Sequence, residues 1–394
     1  MSPSSLYKKG AIVGAWEYPG RSMPDKTAAQ VQAECLIAAL DEAGLSISDM
    51  DGLCCTRIPG MQPISFAEYL GVYPTYMEAT QIGGSSFVLY LIRAMEAIAA
   101  GRAKVVGITY GSLPTTEGRR IGTGTRIGGG GGGEVPIEFS YEEPWGLPLI
   151  GTYALCAQRH MHQYGTKPEH LASVGVTMRR HAGLNPHAKY RDPIAVDDVL
   201  KSRLICDPLH LLDCCIISDG GGAVVVAHPD VARNCKTRPV WLMGSGEAAM
   251  HSSSGHRDYT VSAAAQSGPI AFKEAGVAHK DIDFCMIYDA FSINVIMTLE
   301  ELGFCKKGEG GPFVENGRIA LGGELPVNPD GGGLSSCHPG MRGMFLLVEA
   351  TRQLRGDYAG TERQVPNAKV AAVHGIGGFY GTRHSGITAI LTSE

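Results

Sequence analysis

Four segments of this 394-residue chain carry, or pointedly lack, side chains that could do chemistry. Tyr288-Asp-Ala-Phe291 directly follows the apolar run Phe284-Cys-Met-Ile. Asn328-Pro-Asp-Gly-Gly-Gly-Leu-Ser-Ser-Cys-His-Pro-Gly340 sets Cys337 and His338 in a glycine-rich stretch, and Val373-His-Gly-Ile-Gly-Gly378 places His374 at the end of another apolar run. Tyrosine, histidine and cysteine are acid-base and nucleophile types. A buried strand end followed by glycine-rich turns leaves backbone amides free to hold a developing oxyanion. The fourth segment, Gly83-Gly-Ser-Ser-Phe87, opens an apolar stretch through Leu91, Met95 and Ile98 that reads as a long helix. Amides at a helix start attract anions and lower thiol pKa values, yet no cysteine stands there. Ser85 and Ser86 could substitute as nucleophiles, or simply cap the helix. Cys337 could be a displaced nucleophile or an inert, buried small hydrophobe.

Composition narrows the field. The chain is 44% hydrophobic and 19% charged, ordinary for a folded globular protein with a sizeable core. A net charge of −5, with no window of clustered Lys or Arg, argues against nucleic acid as a partner. The apolar run after Lys8-Lys9 is too short for a signal-peptide core or a membrane span, so no membrane partner is expected. Eleven cysteines without a Cys-x-x-Cys pair indicate neither a disulfide framework nor a zinc ribbon, and the cytoplasm is the expected compartment. His160 and His162, two residues apart, fall on different faces of a helix, so no metal site is expected. The run Gly128–Gly133 lacks a following Gly-Lys-Ser/Thr, which excludes a phosphate loop; it reads as a linker or as a flexible wall over a site.

The elements that must position these residues are duplicated. Ala39-Leu-Asp-Glu-Ala-Gly-Leu-Ser-Ile-Ser-Asp-Met-Asp51 recurs as Ala271-Phe-Lys-Glu-Ala-Gly-Val-Ala-His-Lys-Asp-Ile-Asp283. Gly14-Ala-Trp-Glu17 echoes Gly244-Ser-Gly-Glu247, and Ala103-Lys-Val-Val echoes Ala368-Lys-Val-Ala. Each copy predicts a strand, an amphipathic helix stopped by a left-handed glycine (Gly44, Gly276), and a short apolar strand covered on both faces. Val31, Cys35 and Ala38 mark the apolar stripe of the first helix. The predicted organisation is an N-terminal half over residues 1–237, containing an insertion at about 112–203, and a C-terminal half over 238–394.

These motifs resemble the thiolase superfamily, in its sterol-carrier-protein thiolase-like branch, over essentially the whole chain. Gly322-Gly-Glu-Leu-Pro-Val-Asn-Pro-Asp-Gly-Gly with His338-Pro-Gly is similar to the family's glycine-rich histidine segment, and Asp207-Pro-Leu, Asp213-Cys and Asp219-Gly-Gly-Gly-Ala223 resemble a mid-chain signature of the branch. The resemblance implies an α/β thiolase fold: duplicated βαβαβαββ halves in a five-layer αβαβα sandwich, with a loop-domain insertion. It places Gly84 where the nucleophilic cysteine would precede Ser-Ser, Tyr288 at the oxyanion-hole Asn or His, His338 at the catalytic histidine and His374 at the second, acid-base cysteine. Gly84, Ser85 and Gly377 then mark the nucleophile and oxyanion positions. Tyr in Tyr-Asp-x-Phe without the nucleophile is similar to the steroid side-chain aldolases of the branch, which tend to carry another Tyr where this chain has His338. The resemblance also implies a CoA thioester as substrate, no tightly bound cofactor, a homodimer and a small OB-fold partner with a zinc ribbon.

A thiolase forms a covalent acyl-enzyme, and replacing its cysteine by glycine removes the attacking atom. Retro-aldol cleavage of a β-hydroxyacyl-CoA needs a base, an oxyanion hole for the enolate and an acid, which Tyr288, His338 and His374 could divide. Tyr288 as base would need a neighbouring cation to lower its pKa from about 10. The rival readings are an acyltransferase or β-ketothiolase using Cys337 or a partner's thiol, and a non-catalytic subunit of an acyl-CoA complex. On the aldolase reading Gly84, Tyr288, His338 and His374 line one pocket, and the substrate's β-carbon substituent fills the space of the missing thiol.

Overall fold

The computed structural model describes residues 6–57, 60–118, 149–251 and 258–394. Gly128–Gly133 and Trp145 lie outside these residues. The first half runs β1 (Ala11–Glu17), α1 (Ala28–Ala43), β2 (Gly52–Cys55), α2 (Ile64–Leu70), β3 (Tyr76–Glu78), α3 (Ser86–Ala99) and β4 (Val105–Ser112). The described part of the insertion follows, with helices α4 (Leu149–Tyr164), α5 (Pro168–Leu184) and α6 (Val196–Lys201) and the small hairpin β5 (Leu204–Cys206) and β6 (Leu209–His210). After it come β7 (Gly220–Ala227) and the short α7 (Pro229–Ala232). The second half runs β8 (Val240–Met250), α8 (Ala264–Ala275), β9 (Phe284–Ile287), α9 (Ser292–Glu301), α10 (Gly310–Phe313), α11 (Gly343–Arg355), β10 (Val370–Phe379) and β11 (Thr382–Thr392).

The strand order β3-β2-β4-β7-β1-β8-β11-β10-β9 is a palindrome of the two halves. In each half the first and last strands pair antiparallel (β1 with β7, β8 with β11), and the second pairs parallel with the fourth-position strand (β2 with β4, β9 with β10). The halves meet along β1 and β8 through only Ala11–Trp241 and Ile12–Val240. The third strand of the second half is reduced to a single bridge, Cys285 to Val327. Helix α1 covers β1, β4 and β7 on one outside, and α8 covers β8 and β11 on the other. Helices α3 and α11 pack on one another between strands of both halves, which completes five layers.

The repeated residues do repeated physical work. Glu42 accepts the N–H of Ala15 at 2.7 Å, and Glu274 accepts that of Ser245 at 2.5 Å. Asp51 receives the amides of Lys104 and Val105, and Asp283 those of Lys369 and Val370. Gly44 and Gly276 cap their helices in the left-handed region. Gly14 lets α1 lie directly on β1, since a Cβ there would sit 2.0 Å from the Ala39 carbonyl. The apolar stripe of α1 is wider than three positions: Leu36, Ala39 and Leu40 are fully buried with Val31 and Cys35, whereas Ala38 is half-buried.

Because each glutamate satisfies a strand amide, Glu42→Ala and Glu274→Ala should each destabilise the fold by about 1–3 kcal/mol. Urea unfolding of the two variants checks this; a response at only one of the two positions would contradict their equivalence.

Candidate active site

Strand β9 delivers Tyr288 to the mouth of the central layer. Asn328 pins the strand end by accepting the N–H of Ile287 and donating to its carbonyl, both at 2.8 Å, and the Tyr288 amide donates to the His374 carbonyl at 3.0 Å. The Tyr288 hydroxyl lies 3.0 Å from His338 Nε2, with the two rings edge to face. Both line a cavity of about 260 Å³, whose walls include Gly84, Tyr153, Cys215, Phe291, Ile376 and Gly378. Glycines 83 and 84 at the start of α3, and Gly340 and Met341 just before α11, also border it. Both central helices therefore begin at the cavity, and their positive ends favour negative charge developing there.

The loop that carries His338 is held by a buried ionic cluster. Arg342 is fully buried, with its guanidinium 3.2 Å from Asp289 Oδ1 and 2.5 Å from Asp330 Oδ2, and it donates to the Cys337 carbonyl at 3.0 Å. Asp289 also accepts the amides of Gly333 and Leu334, which fixes the turn Gly332–Ser336. Burial raises Asp289 to about 6 against the pull of Arg342. Burial alone would also raise Asp330, but Arg342 more than offsets it and holds that carboxyl below its usual range. The same surroundings act oppositely on the catalytic candidates. Burial, and then the Arg342 charge, push His338 down to about 3, while burial raises the Tyr288 phenol well above 10. At neutral pH the pair is a neutral imidazole facing an intact phenol; the neighbouring cation that Tyr288 would need in order to act as a base is present in Arg342, but it does not overcome burial.

The other expected site residues do not all converge. A Cβ on Gly84 would lie 2.0 Å from Tyr288 Cε2, so the space of the missing side chain is filled by the tyrosine ring and is closed to any substrate substituent. Ser85 donates to the Ile82 carbonyl and shares a hydrogen bond with Ser385, and Ser86 accepts the Ile82 amide while donating to the Gly83 carbonyl; both are fixtures of the helix start. A Cβ on Gly377 would meet the Ile82 carbonyl and the Ser85 and Ser385 hydroxyls, so this position packs against the start of α3, and Ile376 and Gly378 line the cavity instead. His374 points to the opposite face of β10, where Nδ1 meets Thr388 at 2.9 Å and Thr388 meets Ser267 of α8. Cys337 is fully buried against Ser218 and the Asp219 carbonyl, outside the cavity wall, and burial pushes its thiol up to about 11, so it is no displaced nucleophile. His160 is enclosed by Thr166 and Glu300, and among the described residues no group of three or more His, Cys, Asp or Glu could hold a metal ion.

Sequence reasoning missed Cys215, Tyr153 and Arg342. Cys215 lines the cavity as a thiol raised by burial to about 12. Tyr153 donates to the Gly378 carbonyl and stacks between Phe291 and Tyr380, which brings the insertion onto the site.

A family model described as thiolase C-terminal domain-like matches residues 245–392. The acetyl-CoA acetyltransferase of Methanothermobacter thermautotrophicus is 33% identical over 385 residues, covering 94% of this chain and 97% of that protein. The chain belongs to the thiolase superfamily. It falls in the sterol-carrier-protein thiolase-like branch of that superfamily, alongside relatives named as aldolases. The steroid side-chain-cleaving aldolase of Thermomonospora curvata is 32% identical over 375 residues, covering 93% and 95% of the two chains. The solved Ltp2-ChsH2(DUF35) aldolase superposes with a TM-score of 0.86 at 30% identity, over 98% of each chain. In this chain the Tyr288 ring lies against Gly84 and occupies the space that a side chain at 84 would need.

Gly84→Cys should not restore a thiolase, because the new side chain must displace the Tyr288 ring. We expect kcat to fall at least ~10-fold, with no gain of CoA-dependent thiolysis, measured by steady-state kinetics. A second outcome concerns pH. Burial drives His374 and His338 to about 3 and His181 to about 4, below the ordinary value near 6.5, so the unfolded chain takes up more protons and stability falls as pH drops from about 6.5 toward 3. Asp289, raised to about 6, works in the opposite direction over the upper part of that window. His374→Asn should therefore reduce the pH slope of unfolding free energy between pH 6 and 4 by about 1.4 kcal/mol per unit, read from urea melts at each pH.

Proposed function

We propose that this chain is a lyase of the thiolase fold that cleaves the carbon–carbon bond of a β-hydroxyacyl-CoA by a retro-aldol reaction, without a covalent acyl-enzyme. The observation that carries this reading is the Tyr288 ring in the place of a nucleophile, hydrogen-bonded to a neutral His338 at 3.0 Å. As the substrate's β-hydroxyl proton moves to the Tyr288 oxygen, the phenol's own proton passes to His338 Nε2, so no free phenolate forms. The Cα–Cβ bonding pair flows into the thioester, a ketone or aldehyde departs, and the enolate oxygen rests toward the starts of α3 and α11. The imidazolium is then balanced by the enolate charge, which lets a histidine with so low a resting pKa accept a proton. Return of the proton to the enolate carbon releases the shorter acyl-CoA. Names of the aldolase relatives agree with this chemistry.

The same proposal includes several coarser features. CoA enters as the substrate's carrier, and no tightly bound cofactor takes part. Two halves, 1–237 and 238–394, with an insertion at about 112–203, form the functional chain. A homodimer is supported by the unpaired edge of β3, next to exposed Met61, Ile64, Tyr69, Tyr73 and Met77. A small OB-fold partner with a zinc ribbon is supported by the two-component name of the aldolase neighbour. Cytoplasmic placement is supported by cysteines that are all free thiols among the described residues, and no described helix is long and apolar enough to cross a membrane.

Incubation with a β-hydroxyacyl-CoA should yield a shorter acyl-CoA without added CoA, and His338→Ala should lower kcat by at least ~10²-fold. A strict requirement for free CoA would mean thiolysis and overturn the proposal.

A further inference from the structure

Cys215 lines two cavities. Beside the one that holds Tyr288 and His338 lies a larger one of about 740 Å³, within the usual range for a small-molecule site. Its apolar lining comes from Leu211, Leu212, Ile216, Ile217 and Leu334, and three cations border it: Arg179, Lys189 and Arg203. Among the described residues none of the three has a carboxylate within 4 Å, in contrast to the buried Arg342, which has two, and Arg363 and Arg21, which have one each. Arg179 is only 8% exposed. Its Nε donates to Ser335 at 3.0 Å and its Nη1 to the Asp192 carbonyl at 3.2 Å, while Nη2 has no protein partner among the described residues. Lys189 reaches the Ile217 carbonyl at 2.7 Å, and it and Arg179 both lie over the Tyr190 ring, at 5.7 and 5.5 Å.

A buried guanidinium without an acid is costly unless an anion arrives to complete it. Burial accordingly disfavours the charged forms of both Arg179 and Lys189. Position narrows the anion. Leu334 and Ser335 belong to the turn that leads to His338, and Cys215 is shared with the reaction cavity, so this cavity adjoins the one that holds Tyr288 and His338. A planar guanidinium presented from a buried position suits a carboxylate at the end of an apolar body.

We propose that this cavity receives the part of the substrate that departs as the ketone, and that this part is a bulky apolar group ending in a carboxylate held by Arg179 and Lys189. The proposal rests on the retro-aldol reading and adds the substrate class to it.

The test uses two β-hydroxyacyl-CoA substrates with the same apolar β-substituent, one ending in a carboxylate and the other in a methyl group. The full chain should prefer the carboxylate by at least ~10-fold in kcat/KM, and Arg179→Gln should bring the ratio close to one, chiefly through KM. Lys189→Met, at a half-buried position, should lower the ratio in the same direction and guards against misfolding of the arginine variant. An undiminished ratio in both variants, or no preference in the parent, overturns the proposal; the first outcome would assign the cations to the CoA moiety common to both substrates. Calorimetry with the free keto acid product, without CoA, separates this from the reaction. Arg179-dependent binding without turnover of either substrate would sink the retro-aldol reading and retain the cavity assignment. Turnover of both substrates without keto acid binding would do the reverse.

Discussion

Everything at the site hangs on one buried guanidinium. Arg342 joins the end of β9 through Asp289, the glycine-rich turn through Asp330, and the segment before His338 through the Cys337 carbonyl. One positive charge between two carboxylates is a net-negative cluster in a fully buried place, and it persists because the turn amides of Gly333 and Leu334 also serve Asp289. Removing the guanidinium would leave two buried carboxylates facing one another. The cluster is therefore at once the clamp that sets the distance between Tyr288 and His338 and part of the field that keeps the imidazole neutral.

The architecture was legible in the sequence to the extent that duplication writes itself in polar and conformational residues. Glu42 and Glu274, Asp51 and Asp283, Gly44 and Gly276 each have a task that few residue types perform, so their spacing survived where apolar residues drifted. Tyr288 and His338 were legible for a similar reason, since each follows a strand or turn whose end must open on a cavity. His374 was misplaced because a sequence motif does not say what a strand residue meets across the sheet, which here is Thr388 of β11. Cys337 stands next to a site histidine in the chain, yet the extended backbone at that residue turns its thiol toward Ser218. Arg342, Tyr153 and Cys215 gave no signal at all, because a long cation after a glycine-rich turn, or an aromatic in a helix, has many bland uses until its partners are known.

The insertion contributes to the site by packing rather than by chemistry. Tyr153 of α4 is clamped between Phe291 and Tyr380 and hydrogen-bonded to β10, so one wall of the cavity belongs to a segment with no counterpart in the second half. A duplicated frame thus holds the reacting groups, while an unduplicated segment shapes the space around them.

The contact between Gly84 and the Tyr288 ring has an evolutionary reading. With the Cβ position at 84 lying 2.0 Å from that ring, a side chain at 84 and an aromatic ring in this pose at 288 are mutually exclusive. Fitness at one position then depends on the residue at the other, so a lineage moving between covalent and non-covalent chemistry cannot pass through the pair in arbitrary order. The permitted intermediate is a chain with glycine at 84 and a smaller residue at 288, open at both positions. From there either a tyrosine at 288 or a side chain at 84 can enter, but each closes the position to the other.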